Sequence, residues 1–75
     1  MAATNLWKRG TVDGFTYEAK VYDEGSEFGI DGGRISKLTV YTGCGVGANY
    51  DRGWDMEPLD VMSRTAVKKI CEMYA

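Results

Sequence analysis

Alternating apolar and polar side chains predict β-strands in the first two thirds of the chain. Residues 15–22 carry apolar side chains at odd positions and polar ones at most even positions, the period-2 pattern of a half-buried strand. The preceding Asp13–Gly14 pair suits the two positive-φ positions of a type I′ hairpin turn. The sequence therefore predicts two antiparallel strands, over about 6–12 and 15–22, with the odd-numbered face of the second strand in the core.

A glycine-rich, acidic segment at 23–33 separates this hairpin from two further predicted strands. The segment contains four carboxylates, four glycines and no cation, which is typical of a long loop. Residues 34–42 are rich in β-branched and aromatic side chains, and Ile35 breaks their alternation, so we expect a third strand with either a bulge or partial burial of both faces near its start. A shorter fourth strand is predicted at about 46–51. The side chains of that strand expected to face the core are Val46, Ala48 and Tyr50.

Apolar residues at three- and four-residue spacing predict an amphipathic helix from about 58 to 74. Two N-terminal caps are open: Glu57 with Pro58 at the first helical position, or Asp60 one turn later. The expected sheet-facing stripe consists of Leu59, Met62, Ala66, Ile70 and Met73. The simplest architecture is α+β, a four-stranded antiparallel meander sheet with one C-terminal helix packed on one face (ββββα).

Length and composition narrow the class of protein. The 75 residues suit a single domain over 1–75, and 44% hydrophobic with 27% charged residues is a normal soluble balance. A domain this small buries only about 60% of its unfolded surface, so we expect weak self-association. The formal net charge of −2 and the lack of a basic stripe argue against duplex DNA as a partner. No apolar run approaches the roughly 20 residues that span a bilayer, so no membrane partner is expected.

Candidate catalytic and metal chemistry is sparse in the sequence. Histidine is absent, which removes the commonest general base and metal ligand, so we expect neither an enzyme nor a bound metal or cofactor. The Gly43–Gly47 run lacks the following helix that a phosphate-binding loop requires and is interpreted as a hairpin tip. The reactivity of Cys44 in that tip depends on its surroundings, whereas Cys71 is expected near the core.

The clearest candidate for a binding surface is one end of the predicted sheet. In a meander, the connections after the second and fourth strands leave the same end, and they carry net charges of −4 at 23–33 and −3 at 51–60. Three functions are open for this acidic end: attracting a basic partner, mimicking nucleic-acid phosphates, or collecting a cation. A structural role stays open equally, in which Arg34 and Arg52 neutralise part of the charge and hold the two loops together. The candidate partner-binding residues are Glu24, Glu27, Phe28, Asp31, Asp51, Arg52, Trp54 and Asp55.

Three stretches of the chain carry a family resemblance: Trp7–Thr11, Glu24–Leu38 and Asn49–Asp55. Through them the chain resembles a family of small uncharacterised proteins encoded by phages and mobile elements of Gram-positive bacteria. The resemblance implies an accessory protein that acts in the bacterial host cell by binding and inhibiting a host or defence-system protein, as anti-CRISPR-like inhibitors do. A cytoplasmic location is expected from the two cysteines, whose spacing is neither that of a secreted disulfide scaffold nor that of a zinc site. It attaches no role to individual residues.

Two alternative functions belong to other classes. One is a small-ligand module that sequesters a signalling nucleotide, in which arginines hold the phosphate and aromatic rings hold the base. Its candidate ligand-binding residues are Arg34, Arg52, Tyr22 and Tyr41. The other is a structural or regulatory subunit of a mobile element.

Overall fold

The computed structural model describes residues 7–43 and 45–74, so Leu6 and Cys44 lie outside the described residues. Five antiparallel strands form one sheet in the order β1-β2-β3-β4-β5, followed by a C-terminal helix. The elements are β1 (Trp7–Val12), β2 (Phe15–Val21), a 3-10 turn (Ile30–Gly32), β3 (Ile35–Thr42), β4 (Gly45–Asp51), β5 (Trp54–Met56) and α1 (Val61–Met73). The predicted α+β architecture, an antiparallel sheet with a C-terminal helix, is confirmed.

The predicted number of four strands is wrong, because β5 adds a fifth at the sheet edge. A tight turn precedes it, in which Arg52 has a φ of 59° and the Asp51 amide donates to the Gly53 carbonyl at 2.8 Å. This turn reverses the chain so that Trp54 pairs with Tyr50 of β4. A strand of three exposed residues is too short to show an alternating pattern, which is why the sequence did not reveal it.

The β1–β2 hairpin and the inward face of β2 follow the prediction. Asp13 and Gly14 have φ values of 53° and 85°, as a turn with two positive-φ residues requires. Tyr17, Ala19 and Val21 are buried in the core that the sheet forms with the helix.

The predicted bulge near the start of β3 is confirmed. Lys20 pairs with Lys37, but the next residue of β2, Val21, pairs with Ile35. Ser36 is therefore the extra residue, and both Ile35 and Ser36 are buried.

A second bulge, at Gly47, was not predicted and corrects the interpretation of β4. Val40 pairs with Ala48 while Tyr41 pairs with Val46, so the alternation shifts and Val46 is 42% exposed instead of buried. Gly47 also permits close packing, since a Cβ there would lie 2.5 Å from the Thr42 methyl.

The helix starts at Val61, because the Asp60 carboxylate accepts a hydrogen bond from the Ser63 amide at 2.7 Å. Its buried residues are Ser63, Ala66, Val67 and Ile70. The predicted stripe is therefore wrong at three positions, since Leu59, Met62 and Met73 are exposed. The small side chain of Ser63 faces Gly47, and a large apolar residue in its place would hold the helix away from the sheet.

The C-terminal part of the helix contacts the first hairpin through side chains. The Tyr17 and Tyr74 hydroxyls lie 2.8 Å apart and their rings pack edge to face. The Lys69 ammonium reaches the Asp13 carboxylate at 2.9 Å. No helix in the described part of the chain has both the length and the apolar character needed to cross a membrane.

Candidate functional site

Tyr50 joins the two connections that the sequence placed at one end of the sheet. Its hydroxyl donates to the Phe28 carbonyl at 2.9 Å, and its ring packs edge to face against Trp54 with centroids 5.0 Å apart. The side chains of Phe28 and Trp54 are both exposed. The loop at 23–33 and the chain after β4 therefore meet, as predicted, and the two proposed aromatic anchors lie on either side of one tyrosine.

Several acids of the 51–60 region contact other groups of the chain. Asp51 lies 3.8 Å from the Lys37 ammonium, and Asp55 accepts from the Asn49 amide at 3.3 Å. The hydrogen bonds from Ser63 to Asp60 hold the pKa of that carboxyl below its usual value. These three acids therefore have structural contacts, whatever else they bind.

The acids of the 23–33 loop are placed differently. Glu24, Glu27 and Asp31 are exposed, and Asp31 adopts a left-handed backbone with a φ of 53°. Burial raises the pKa of the Cys71 thiol, and the nearby charge of Asp31 raises it further. Within residues 7–43 and 45–74, no three acidic or cysteine side chains are grouped as metal ligands would be.

Residues 54–62 form the most apolar exposed stretch of the described chain, and we call them the 54–62 segment. Leu59, Val61 and Met62 are 78%, 73% and 62% exposed, and Trp54 and Met56 are also exposed. The sequence interpretation missed this surface because it assigned Leu59 and Met62 to the core. The Asp60 cap was the signal that could have found it, because a cap at 60 leaves Leu59 outside the helix.

A cleft of about 580 Å³ opens beside Tyr22, and we call it the Tyr22 cleft. It contains Tyr22, Glu24, Phe28 and Arg52 from the two predicted sets, together with Ser36 and Lys37, which the sequence did not single out. The complete lining is Tyr22, Asp23, Glu24, Gly25, Ser26, Phe28, Ser36, Lys37 and Arg52.

Backbone hydrogen bonds fix the walls of the Tyr22 cleft. The Tyr22 amide donates to the Arg34 carbonyl at 2.9 Å, and the Arg34 Nε donates to the Tyr22 carbonyl at 2.8 Å. The Arg52 amide donates to the Ser36 carbonyl at 3.0 Å. Arg34 therefore helps to position Tyr22 by hydrogen bonds to the Tyr22 backbone. The bond to Ser36 holds the Arg52 backbone next to the β3 bulge.

The charged groups of Lys20 and Arg52 lie near the Tyr22 phenol. A hydrogen bond from Lys20 is the largest cause of a lowered pKa of Tyr22, and Ser36 and Arg52 also lower it. The Lys20 ammonium lies 5.5 Å from the centre of the Tyr22 ring. The Ser36 hydroxyl lies near enough to the phenol to lower the pKa of Tyr22, yet it is closed to solvent and no group within residues 7–43 and 45–74 lies at hydrogen-bonding distance from it.

Tyr41, the fourth residue of the proposed ligand set, lies elsewhere. It pairs with Thr16, six residues before Tyr22, which corresponds to about 20 Å along β2. Its hydroxyl donates to Glu18 at 2.9 Å, and Glu18 also forms an ion pair with Arg9. Together these contacts lower the pKa of Glu18, with Tyr41 the larger cause. The structure therefore brings Tyr22 and Arg52 together but leaves Tyr41 out.

Comparisons with known proteins identify a family. Neither a search of curated proteins nor a search of solved structures gave a significant match. One family model, described as Domain of unknown function (DUF7678), matches residues 6–75, which is nearly the whole chain. The chain therefore belongs to this family, whose function is unknown.

Proposed function

We propose that the protein is a non-enzymatic binding protein that captures a partner protein through the 54–62 segment. The observation that carries the proposal is the exposure of Leu59, Val61 and Met62 side by side in the sequence. Several large apolar side chains exposed within one short stretch of a small domain are typical of a protein–protein interface, whose binding energy comes from a few large side chains.

The charges of the segment suggest the chemistry of the partner. Asp55, Glu57 and Asp60 are its only charged residues, so it carries three negative charges and no positive one. Exposed apolar side chains interspersed with acids complement a partner that offers apolar pockets next to lysine or arginine. Asp55 is partly engaged by Asn49, whereas Glu57 is exposed and steers such a partner more freely.

The biological setting follows from the resemblance found in the sequence. We place the protein among phage or mobile-element accessory proteins of Gram-positive bacteria, acting in the host cytoplasm by blocking a host or defence-system protein. The absence of histidine removes the commonest general base, and the raised pKa of the Cys71 thiol makes that cysteine a poor nucleophile, so both support binding over catalysis.

Co-purification tests the proposal. The tagged protein is mixed with a Gram-positive bacterial lysate, and bound proteins are quantified by mass spectrometry. We expect one stoichiometric partner that the double variant Leu59→Ser/Met62→Ser fails to capture. Met73→Ser is the matched control, because Met73 is an exposed methionine of the same helix outside the segment.

Two results would contradict the proposal. Equal capture by the double variant and the control would show that the partner binds elsewhere. A wild-type dimer in light scattering that the double variant abolishes, with no other partner, would assign the segment to self-association.

A further inference from the structure

The Tyr22 cleft shares no residue with the 54–62 segment and has a chemistry of its own. Lys37 and Arg52 line it, and Lys20 lies beside Tyr22. Lys37 is only weakly engaged by Asp51, at 3.8 Å and with both side chains substantially exposed. The cationic side chains of the cleft therefore have bonding capacity that the described part of the chain uses only in part.

Ser36 is a second and independent indication of a binding site. Ser36 is 7% exposed, and among the described residues its buried hydroxyl has no partner at hydrogen-bonding distance, although it lies near enough to the Tyr22 phenol to lower the pKa of Tyr22. Buried polar groups in native proteins are almost always satisfied, so an unsatisfied hydroxyl next to a cleft points to a partner supplied from outside the chain. Because the Ser36 hydroxyl lies near the exposed Tyr22 phenol and both residues line the cleft, we expect a small movement of the Tyr22 ring to open the hydroxyl to the cleft.

The aromatic rings suggest what the rest of a ligand looks like. Phe28 and Tyr22 line the same cleft and expose much of their rings, as side chains that stack on a planar base do. The volume of about 580 Å³ falls within the range of small-molecule sites.

We propose that the Tyr22 cleft binds a small ligand of the nucleoside monophosphate class, with Arg52 and Lys37 at the phosphate and Phe28 and Tyr22 at the base. The Ser36 hydroxyl donates to the phosphate once Tyr22 has turned aside. Arginine and lysine beside a hydroxyl form a common type of phosphate site.

The acidic side chains of the cleft make this assignment more specific. Asp23 and Glu24 also line the cleft, and their carboxylates accept hydrogen bonds from ribose hydroxyls or base amino groups. The same carboxylates repel further phosphates. The cleft therefore selects a monophosphate over a triphosphate.

The test is a ¹⁵N NMR titration with AMP, GMP, CMP and UMP. We expect at least one of them to give saturable shifts at the amides of Tyr22, Lys37 and Arg52. The matching nucleoside, the matching triphosphate and inorganic phosphate should each bind about tenfold more weakly or worse, because each lacks one recognised group or adds a repelled one.

Variants assign the binding to the cleft. Arg52→Gly keeps the positive φ while removing the guanidinium, and Lys37→Gln removes the ammonium; each should weaken binding by about tenfold. Lys68→Gln is the matched control, since it removes the same charge from an exposed site on the helix.

Four outcomes would overturn the inference. They are no saturable shift up to about 10 mM of any mononucleotide, equal binding of inorganic phosphate, equal or tighter binding of the triphosphate, or equal loss in the Lys68 control. The Leu59→Ser/Met62→Ser double variant should bind the mononucleotide normally, so failure here and failure of the proposed protein interface are distinguishable.

Discussion

The two ends of the helix use their side chains in opposite ways. Toward the C-terminus, Ile70 is fully buried, Lys69 contacts Asp13, and Tyr74 following the helix contacts Tyr17. At the N-terminus, Val61 and Met62 face outward, while the Asp60 cap and the buried Ser63 order the first turn. The difference shows that one amphipathic helix supplies both the core and a surface of unused apolar area, and that hydrophobicity alone does not assign a residue to either.

The largest expected effect is a difference in stability between variants at the two ends of the helix. Ile70→Ala should lower the free energy of unfolding by about 2–5 kcal/mol, because it leaves a cavity in a close-packed core. Met62→Ala should change the free energy of unfolding by less than about 0.5 kcal/mol, because its side chain is exposed. Urea denaturation measures both, and equal losses would show that Met62 belongs to the core.

Removing the helix cap should have the next largest effect. Asp60→Ala should lower the melting temperature by several degrees at neutral pH, because the Ser63 amide loses its acceptor. Asp60→Asn is the control, since the amide oxygen still caps. The folded-state pKa of Asp60 is lowered, so its contribution is present above the ordinary carboxyl pKa and is lost as the pH falls through the folded value. The difference in melting temperature between the wild type and the alanine variant should therefore become smaller in acid. A difference that does not change with pH would show that the charge of Asp60 does not contribute to the cap.

An alkaline titration probes the C-terminal end of the helix. Burial, with the Tyr74 hydroxyl adding to it, raises the pKa of Tyr17 to about 12. As the pH rises, this phenol ionises in the unfolded chain before it ionises in the folded one. The contribution of Tyr17 to the free energy of unfolding should therefore be complete below the ordinary pKa of 10.0 and should fall as the pH rises toward 12. The free energy of unfolding should decrease less steeply with pH in the Tyr17→Phe variant. Denaturation measured at several pH values between these two pKa values tests this. Identical pH slopes would mean that Tyr17 is not the responsible group.

The smallest effect concerns the bulge in β3. Ser36→Ala should leave the free energy of unfolding unchanged or raise it by up to about 1 kcal/mol, because it removes an unsatisfied buried hydroxyl. A clear loss of stability in thermal denaturation would show that the hydroxyl has a structural partner.

The sequence predicted features that depend on neighbouring residues. The Asp13–Gly14 turn, the inward face of β2 and the Ile35–Ser36 irregularity were all readable, because each rests on local backbone preference or on strict alternation. Family membership was also indicated, to the extent of an uncharacterised family.

The features that were missed depend on contacts between distant segments. The Gly47 bulge turns Val46 outward, and the close approach of Ser63 to Gly47 rotates the helix so that Met62 leaves the core. Among the candidate site residues, Phe28 and Trp54 were already predicted from the sequence, whereas Ser36 and Lys37 were identified only once folding placed them beside Tyr22.

Methionine methyl NMR tests the central claim most directly, because Met56 and Met62 lie in the 54–62 segment and Met73 lies outside it. The experiment adds the purified partner from co-purification to protein labelled with ¹³C at its methionine methyl groups. The account predicts that the signals of Met56 and Met62 shift or broaden on binding while that of Met73 stays unchanged. A complex in which Met73 alone responds, or in which none of the three does, would contradict the assignment of the 54–62 segment as the binding surface.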